Sequence, residues 1–154
     1  MKRIRKKIDS LLSWTLIIIM SIMVLNVLWQ VFSRYVLGNP SSFTDELARY
    51  LMIWLGVLGA AYVSGLNKHV SIDLLPKKCK ESTQRKLKKL VLWVILLFSL
   101  FGLVVGGINL VYVTYVLEQH SPALRLPLAY VYLVIPLSGC IIIYYKATDL
   151  LSTK

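Results

Sequence analysis

The chain has 154 residues, 57% of them apolar, with a mean hydropathy of +0.68 and a formal charge of +11. So large an apolar share excludes an ordinary soluble domain and a disordered tail, and the length leaves room for one domain. The charge lies outside four stretches, 10–33, 50–67, 90–117 and 126–145, that hold no Asp, Glu, Lys, Arg or His. It borders a membrane rather than reading a nucleic acid, so no nucleic-acid partner is expected.

A helix rises about 1.5 Å per residue, so roughly 20 apolar residues cross the hydrocarbon core. The expected fold is an all-α membrane protein with four spans, at about 11–32, 47–65, 90–117 and 126–145, forming one domain over 1–154. The N-terminal tail carries Lys2, Arg3, Arg5, Lys6 and Lys7. The first span is too long for the apolar core of a cleaved signal peptide and is expected to stay as a helix. Asn26 and Gln30 lie four apart on it. A buried amide needs a hydrogen-bond partner, in another helix or another subunit, so both are candidate contacts inside the membrane.

After the first span, Gly38, Asn39 and Pro40 mark a turn. Tyr35, Val36, Leu37 and Phe43 are too apolar for a free loop and suggest segments lying in the interface. Thr44 is the expected N-cap of the second helix, with Asp45 and Glu46 in its first turn, where the helix dipole favours anions. Arg34, Asp45, Glu46 and Arg49 thus gather at one membrane edge. Asp45 and Arg49 share a helix face. The pair reads either as a screened surface ion pair or as part of a network that orients the loop or docks a partner.

Gly56, Ala60 and Ser64 form a small-residue stripe on the second span. Just beyond it, His69 and Asp73 are four apart, but two ligands make an incomplete metal site. An Asp that orients the loop is the favoured reading there. The stretch 77–89 is Lys-rich and reads as a short amphipathic interfacial helix leading into span three. On that span Gly102 and Gly106 form a G-x-x-x-G with Asn109 on the same face; such stripes let helix backbones approach closely. Internal packing is their slightly favoured role.

Fifteen of the 18 Lys and Arg fall in the tails and the loop between spans two and three, and three (Arg34, Arg49, Arg125) border the other loops. That asymmetry places both termini in the cytoplasm and the loops 34–49 and 118–125 outside. Trp14, Tyr62, Trp93, Tyr144 and Tyr145 form an inner aromatic belt, and Tyr35, Tyr50, Tyr112, Tyr115 and Tyr130 an outer one. The basic surface suits anionic lipid headgroups, at about 1 kcal/mol per charge near the membrane. Cys79 and Cys140 are expected at different depths, which argues against a disulfide. No nucleophile stands beside a base, and no acids pair at membrane depth. The chain is therefore read as no enzyme, with no cofactor, metal or substrate site.

Arg34-Tyr35, Gly38, Asp45-Glu46-Leu47-Ala48-Arg49, Trp54, Gly59-Ala60-Ala61 and His69-Val70-Ser71-Ile72-Asp73 occur in an order that resembles the signature region of the DctQ-like family. These are the small membrane subunits of tripartite ATP-independent periplasmic (TRAP) transporters. The usual pattern has a Trp shortly before two glutamates. This chain has Phe43 and then Asp45-Glu46, and Asn67-Lys68 where a more Arg-rich approach to the His is common. The resemblance implies a helper subunit in the bacterial inner membrane. It packs against a large membrane subunit that carries substrate and sodium, and works with a periplasmic protein that captures a carboxylate such as a C4-dicarboxylate or sialic acid. It also implies that Asn26, Gln30 and the small-residue stripes face the scaffold interface. A homodimeric four-span exporter is the competing reading, and a lipid-modifying enzyme built on His69 and Asp73 a distant third.

Overall fold

The computed structural model describes residues 2–38, 41–66 and 81–152. Helix α1 spans Lys2–Tyr35 and α2 spans Ser42–Gly65. The third span is built from α3 (Glu81–Phe98), a π-helical segment (Ser99–Val105) and α4 (Gly106–Val116), and the fourth from α5 (Leu128–Tyr132) and α6 (Val134–Ser152). Four helical runs of 33, 24, 28 and 23 residues are long and apolar enough to cross a membrane. The expected all-α, four-span architecture is therefore present, with the start of α1 beside the end of α6.

The spans form an open row rather than a closed bundle. Among the described residues α1 packs along α2, α2 along α6, and the third span along the fourth, while the second and third share no extended contact. The order across the row is first, second, fourth, third. Leu12, Ile19, Leu58, Val134 and Tyr145 form the buried core where α1, α2 and α6 meet. Beyond it the large apolar side chains point outward, Leu25, Leu28, Phe101 and Leu137 among them. Lipid is as apolar as these side chains, so close packing and internal hydrogen bonds hold the row together.

Glycine makes the tightest of those contacts possible. A Cβ on Gly107 would lie 2.8 Å from Pro136 Cδ, and one on Gly139 2.8 Å from Leu103 Cβ. The third and fourth spans touch through these two residues. Gly102 and Gly106, expected to serve internal packing, are exposed and face away from the fourth span. Gly106 and Gly107 are neighbours about 100° apart on a helix, so one turns in and the other out.

The fourth span breaks at Leu133, between α5 and α6. Pro136 has no N–H to give and its ring crowds the carbonyl four residues back, which loosens that turn. In the third span the wider π-segment sits in the middle of the helical run and buries Ser99.

Several local expectations change. Thr44 is not the N-cap: α2 starts at Ser42, and the Thr44 hydroxyl donates to the Ser41 carbonyl at 2.9 Å inside the first turn. Tyr35 closes α1, Val36 to Gly38 turn the chain, and Phe43 belongs to α2. Gly38 takes a positive φ of 64° there, a conformation glycine adopts without steric cost. From Glu81 the Lys-rich stretch is the head of α3, continuous with the span, because no Gly or Pro interrupts 81–98. Its earlier part, with Cys79, His69 and Asp73, lies outside the described residues.

Candidate functional site: two polar clamps on an open helix row

Polar side chains gather at the two ends of the row. At the hairpin end Asn26, buried on α1, donates from Nδ2 to the Thr44 carbonyl at 2.7 Å. One turn on, Gln30 donates from Nε2 to Asp45 Oδ1 at 3.2 Å. The two amides thus find their partners within the chain, in the first turn of α2.

The four-residue cluster anticipated at this edge divides. Asp45 and Arg49 pair at 2.8 Å, but both side chains are more than half exposed, so the pair contributes less than about 1 kcal/mol. Arg34 is exposed and joins no ion pair among the described residues. Glu46 turns the other way. Its Oε2 accepts the backbone N–H of Ala123 and of Leu124, each at 2.9 Å, while Oε1 accepts the Tyr50 hydroxyl at 3.2 Å. The segment it holds is a small hairpin in which Ser121 N–H bonds the Leu126 carbonyl and Leu128 N–H bonds the Gln119 carbonyl. Glu118 and Arg125 flank it with positive φ of 47° and 52°, strained for residues with a Cβ. Trp54, about two turns further along α2 than Glu46, donates from Nε1 to the Val131 carbonyl at 3.0 Å, beside the loosened turn of the fourth span.

The opposite, terminal end carries a network absent from the sequence reading. Lys146, counted there as a tail charge, lies in α6 with a side chain fully shielded from solvent, and Tyr145 is equally buried rather than part of a belt. The Lys146 ammonium donates to the Ser64 carbonyl at 3.0 Å, and the Arg5 guanidinium donates to the Gly65 carbonyl. These carbonyls belong to the last turn of α2, where a helix has no internal donors left and its dipole favours cations. Asp149 balances the charge, 2.6 Å from Arg5 and 3.9 Å from Lys146. Asp9 accepts the Tyr145 hydroxyl, and the Arg5 guanidinium lies 5.2 Å from that ring's centre. Three helices are tied by one group of charges. Arg5 with Asp9, and Tyr145 with Asp149, each at i,i+4 spacing, were the only signal of it in the sequence.

Among the described residues no three His, Cys, Asp or Glu side chains converge as a metal site would require. What these elements define is a multi-pass helical membrane protein whose polar residues fasten its own helices and whose long apolar faces lie open.

The chain belongs to the DctQ family: residues 23–153 match the family described as tripartite ATP-independent periplasmic transporters, DctQ component. It is similar to a Haemophilus influenzae protein provisionally named a TRAP transporter small permease protein, at 29% identity over 153 residues covering 99% of this chain and 93% of that one. The sialic acid TRAP transporter small permease protein SiaQ of Vibrio cholerae is 30% identical over 96 residues, 60% of this chain and 56% of its own. A segment of the sialic acid TRAP transporter permease protein SiaT of Haemophilus influenzae is 35% identical over 78 residues, 48% of this chain but only 13% of SiaT. The chain is thus a small permease subunit of a bacterial TRAP transporter.

Proposed function

We propose that this subunit is a static scaffold for a sodium-coupled importer of a carboxylate, of the sialic acid or C4-dicarboxylate class. It packs against a large transport subunit and holds it in the membrane while substrate crosses elsewhere. The observation that carries this reading is the open row itself. Its outward membrane faces are apolar, and the charged groups near membrane depth are used up in fastening helices to one another. Such a protein offers surface to pack against and no path for an ion. The similarity to a segment of a much longer sialic acid permease supports both the large partner and the substrate class.

In this reading the terminal end faces the cytoplasm, where its basic residues meet anionic lipid headgroups. The hairpin end faces the periplasm of a bacterial inner membrane. There the Glu46-held hairpin and the turn after α1 form a firm surface against which a substrate-loaded binding protein docks.

The test is purification of the tagged chain in mild detergent from its native membrane, with mass spectrometry of what stays bound. A large polytopic subunit in near-equal amount is the expected result. A homodimer that moves substrate alone in liposomes would overturn the reading in favour of an exporter.

A further inference from the structure

Beyond the close contact of Gly107 with Pro136, toward the hairpin, the seam between the third and fourth spans opens sideways into two adjoining hollows. The first encloses about 320 Å3 between Ile108, Val111 and Tyr112 of α4 and Leu133 and Pro136 of the fourth span, with Tyr115 at its hairpin end. The second encloses about 470 Å3 and is lined by Tyr115 again, then by Glu118, Gln119, His120 and Pro127 at the root of the hairpin. Residues 108, 111 and 115 follow one face of α4, so that face runs from the first hollow into the second over about 10 Å.

The two hollows differ in chemistry. The walls of the first are aliphatic carbon and tyrosine ring, and the nearby Thr114 hydroxyl is already spent on the Leu110 carbonyl at 2.6 Å. A hydrocarbon chain lying there leaves no polar group unpaired. The second hollow gathers acceptors. Glu118 is turned by its positive φ of 47°, and its carbonyl accepts His120 Nδ1 at 2.6 Å. A neutral imidazole that donates from Nδ1 keeps Nε2 as an acceptor. No Lys or Arg lines either hollow, and the Glu118 carboxylate is the one acidic group that does. A net anionic headgroup would meet a like charge with no cation to offset it, whereas a positive group bearing N–H donors is matched.

We propose that this seam holds one phospholipid whose headgroup carries a primary ammonium, of the phosphatidylethanolamine kind. One acyl chain lies in the apolar hollow along Ile108 and Tyr112. The ammonium meets Glu118 and His120 in the polar one, and the phosphate stays at the water side. The terminal end, with its basic residues, suits the opposite headgroup charge, so the two ends of the chain select different lipids. The site requires only that the third and fourth spans cross a bilayer, and it is independent of the scaffold reading.

The test extracts the chain with its bound partners in mild detergent. Native mass spectrometry then records the lipid held after addition of phosphatidylethanolamine, phosphatidylcholine or phosphatidylglycerol with identical acyl chains. One equivalent of phosphatidylethanolamine is expected to bind about tenfold more tightly than either of the others, the effect of one charge-assisted hydrogen bond. Glu118→Gln should abolish that preference and leave phosphatidylcholine unchanged. Ile108→Trp, at an exposed position on the apolar wall, should remove the equivalent altogether. Leu25→Trp, on the open face of α1, should not. In the native membrane, a benzophenone amino acid at Tyr112 should join the chain to phosphatidylethanolamine on irradiation. Equal retention of the three lipids, or a preference that survives Glu118→Gln, would overturn the headgroup assignment. An equivalent that survives Ile108→Trp, or an adduct from Tyr112 to another protein chain alone, would overturn the site itself.

Discussion

Glu46 and Leu124 are 78 residues apart in sequence and 2.9 Å apart in space, joined by a backbone N–H donated to a carboxylate oxygen. One acidic side chain at the start of the second span thus sets the shape of the loop between the third and fourth. Glu46→Ala is expected to release residues 118–127, seen as faster amide exchange at Ala123 and Leu124. Glu46→Gln keeps one acceptor and should give a smaller change in the same direction. Unchanged exchange in both variants would mean the hairpin holds itself.

Lys146→Leu removes the donor to the Ser64 carbonyl and one of the two cations around Asp149. Breaking a shielded charge group by deleting one member costs about 3 kcal/mol, more than any exposed ion pair in this chain contributes. A clear fall in the melting temperature of the detergent-solubilised chain is expected. Lys6→Leu, an exposed tail charge, should leave it in place.

Asn26→Leu should cost the isolated chain about 1 kcal/mol, the worth of one neutral hydrogen bond. Asn26→Asp should cost more, since a carboxylate would face the Thr44 carbonyl. These effects belong to the chain by itself. If melting stays unchanged while recovery of the large subunit falls, Asn26 acts between subunits instead.

The glycines give opposite signs. Gly139→Ala drives a methyl to 2.8 Å from Leu103 Cβ and 2.9 Å from Val104 Cγ2, and overpacking of this kind costs about 1–3 kcal/mol. Gly56→Ala meets nothing within 4 Å and gains up to about 1 kcal/mol in helix propensity. Melting of the two variants in detergent should therefore move in opposite directions.

The membrane orientation has its own check. The charge asymmetry predicts that Cys79 reacts with an impermeant thiol reagent only after the inner face is exposed. Labelling in intact cells would reverse the assigned sides.

The four spans were legible because a charge-free run of about 20 residues leaves a chain few other places to go. The Asp45–Arg49 pair was legible for a similar reason, since four residues on a helix make neighbours. What sequence could not convey was which faces turn inward. Periodicity aligns Gly102 with Gly106, but only the position of the fourth span decides that Gly107 is the residue packed against Pro136. A π-segment adds to the ambiguity, because its wider turns shift the register of every residue beyond Ser99 relative to an ideal helix. Lys146 was hidden for another reason. A lysine after a run of aromatics reads as the first tail charge, and the carbonyls that receive it lie 82 residues away. The roles of Asn26 and Gln30 followed the same logic: the need for a partner was visible, and its address was not.

The fourth span lies between the second and third, yet it follows both in the chain. During synthesis the first two spans can pair as soon as they emerge, whereas the third arrives before the surface that Gly107 will meet has been made. Its contacts with Pro136 and Gly139 cannot form until those residues have been made. The row is therefore completed from its middle by a helix made after both of its neighbours. Tyr145 and Asp149, on that helix, then fasten it to Asp9 and Arg5 of the first span.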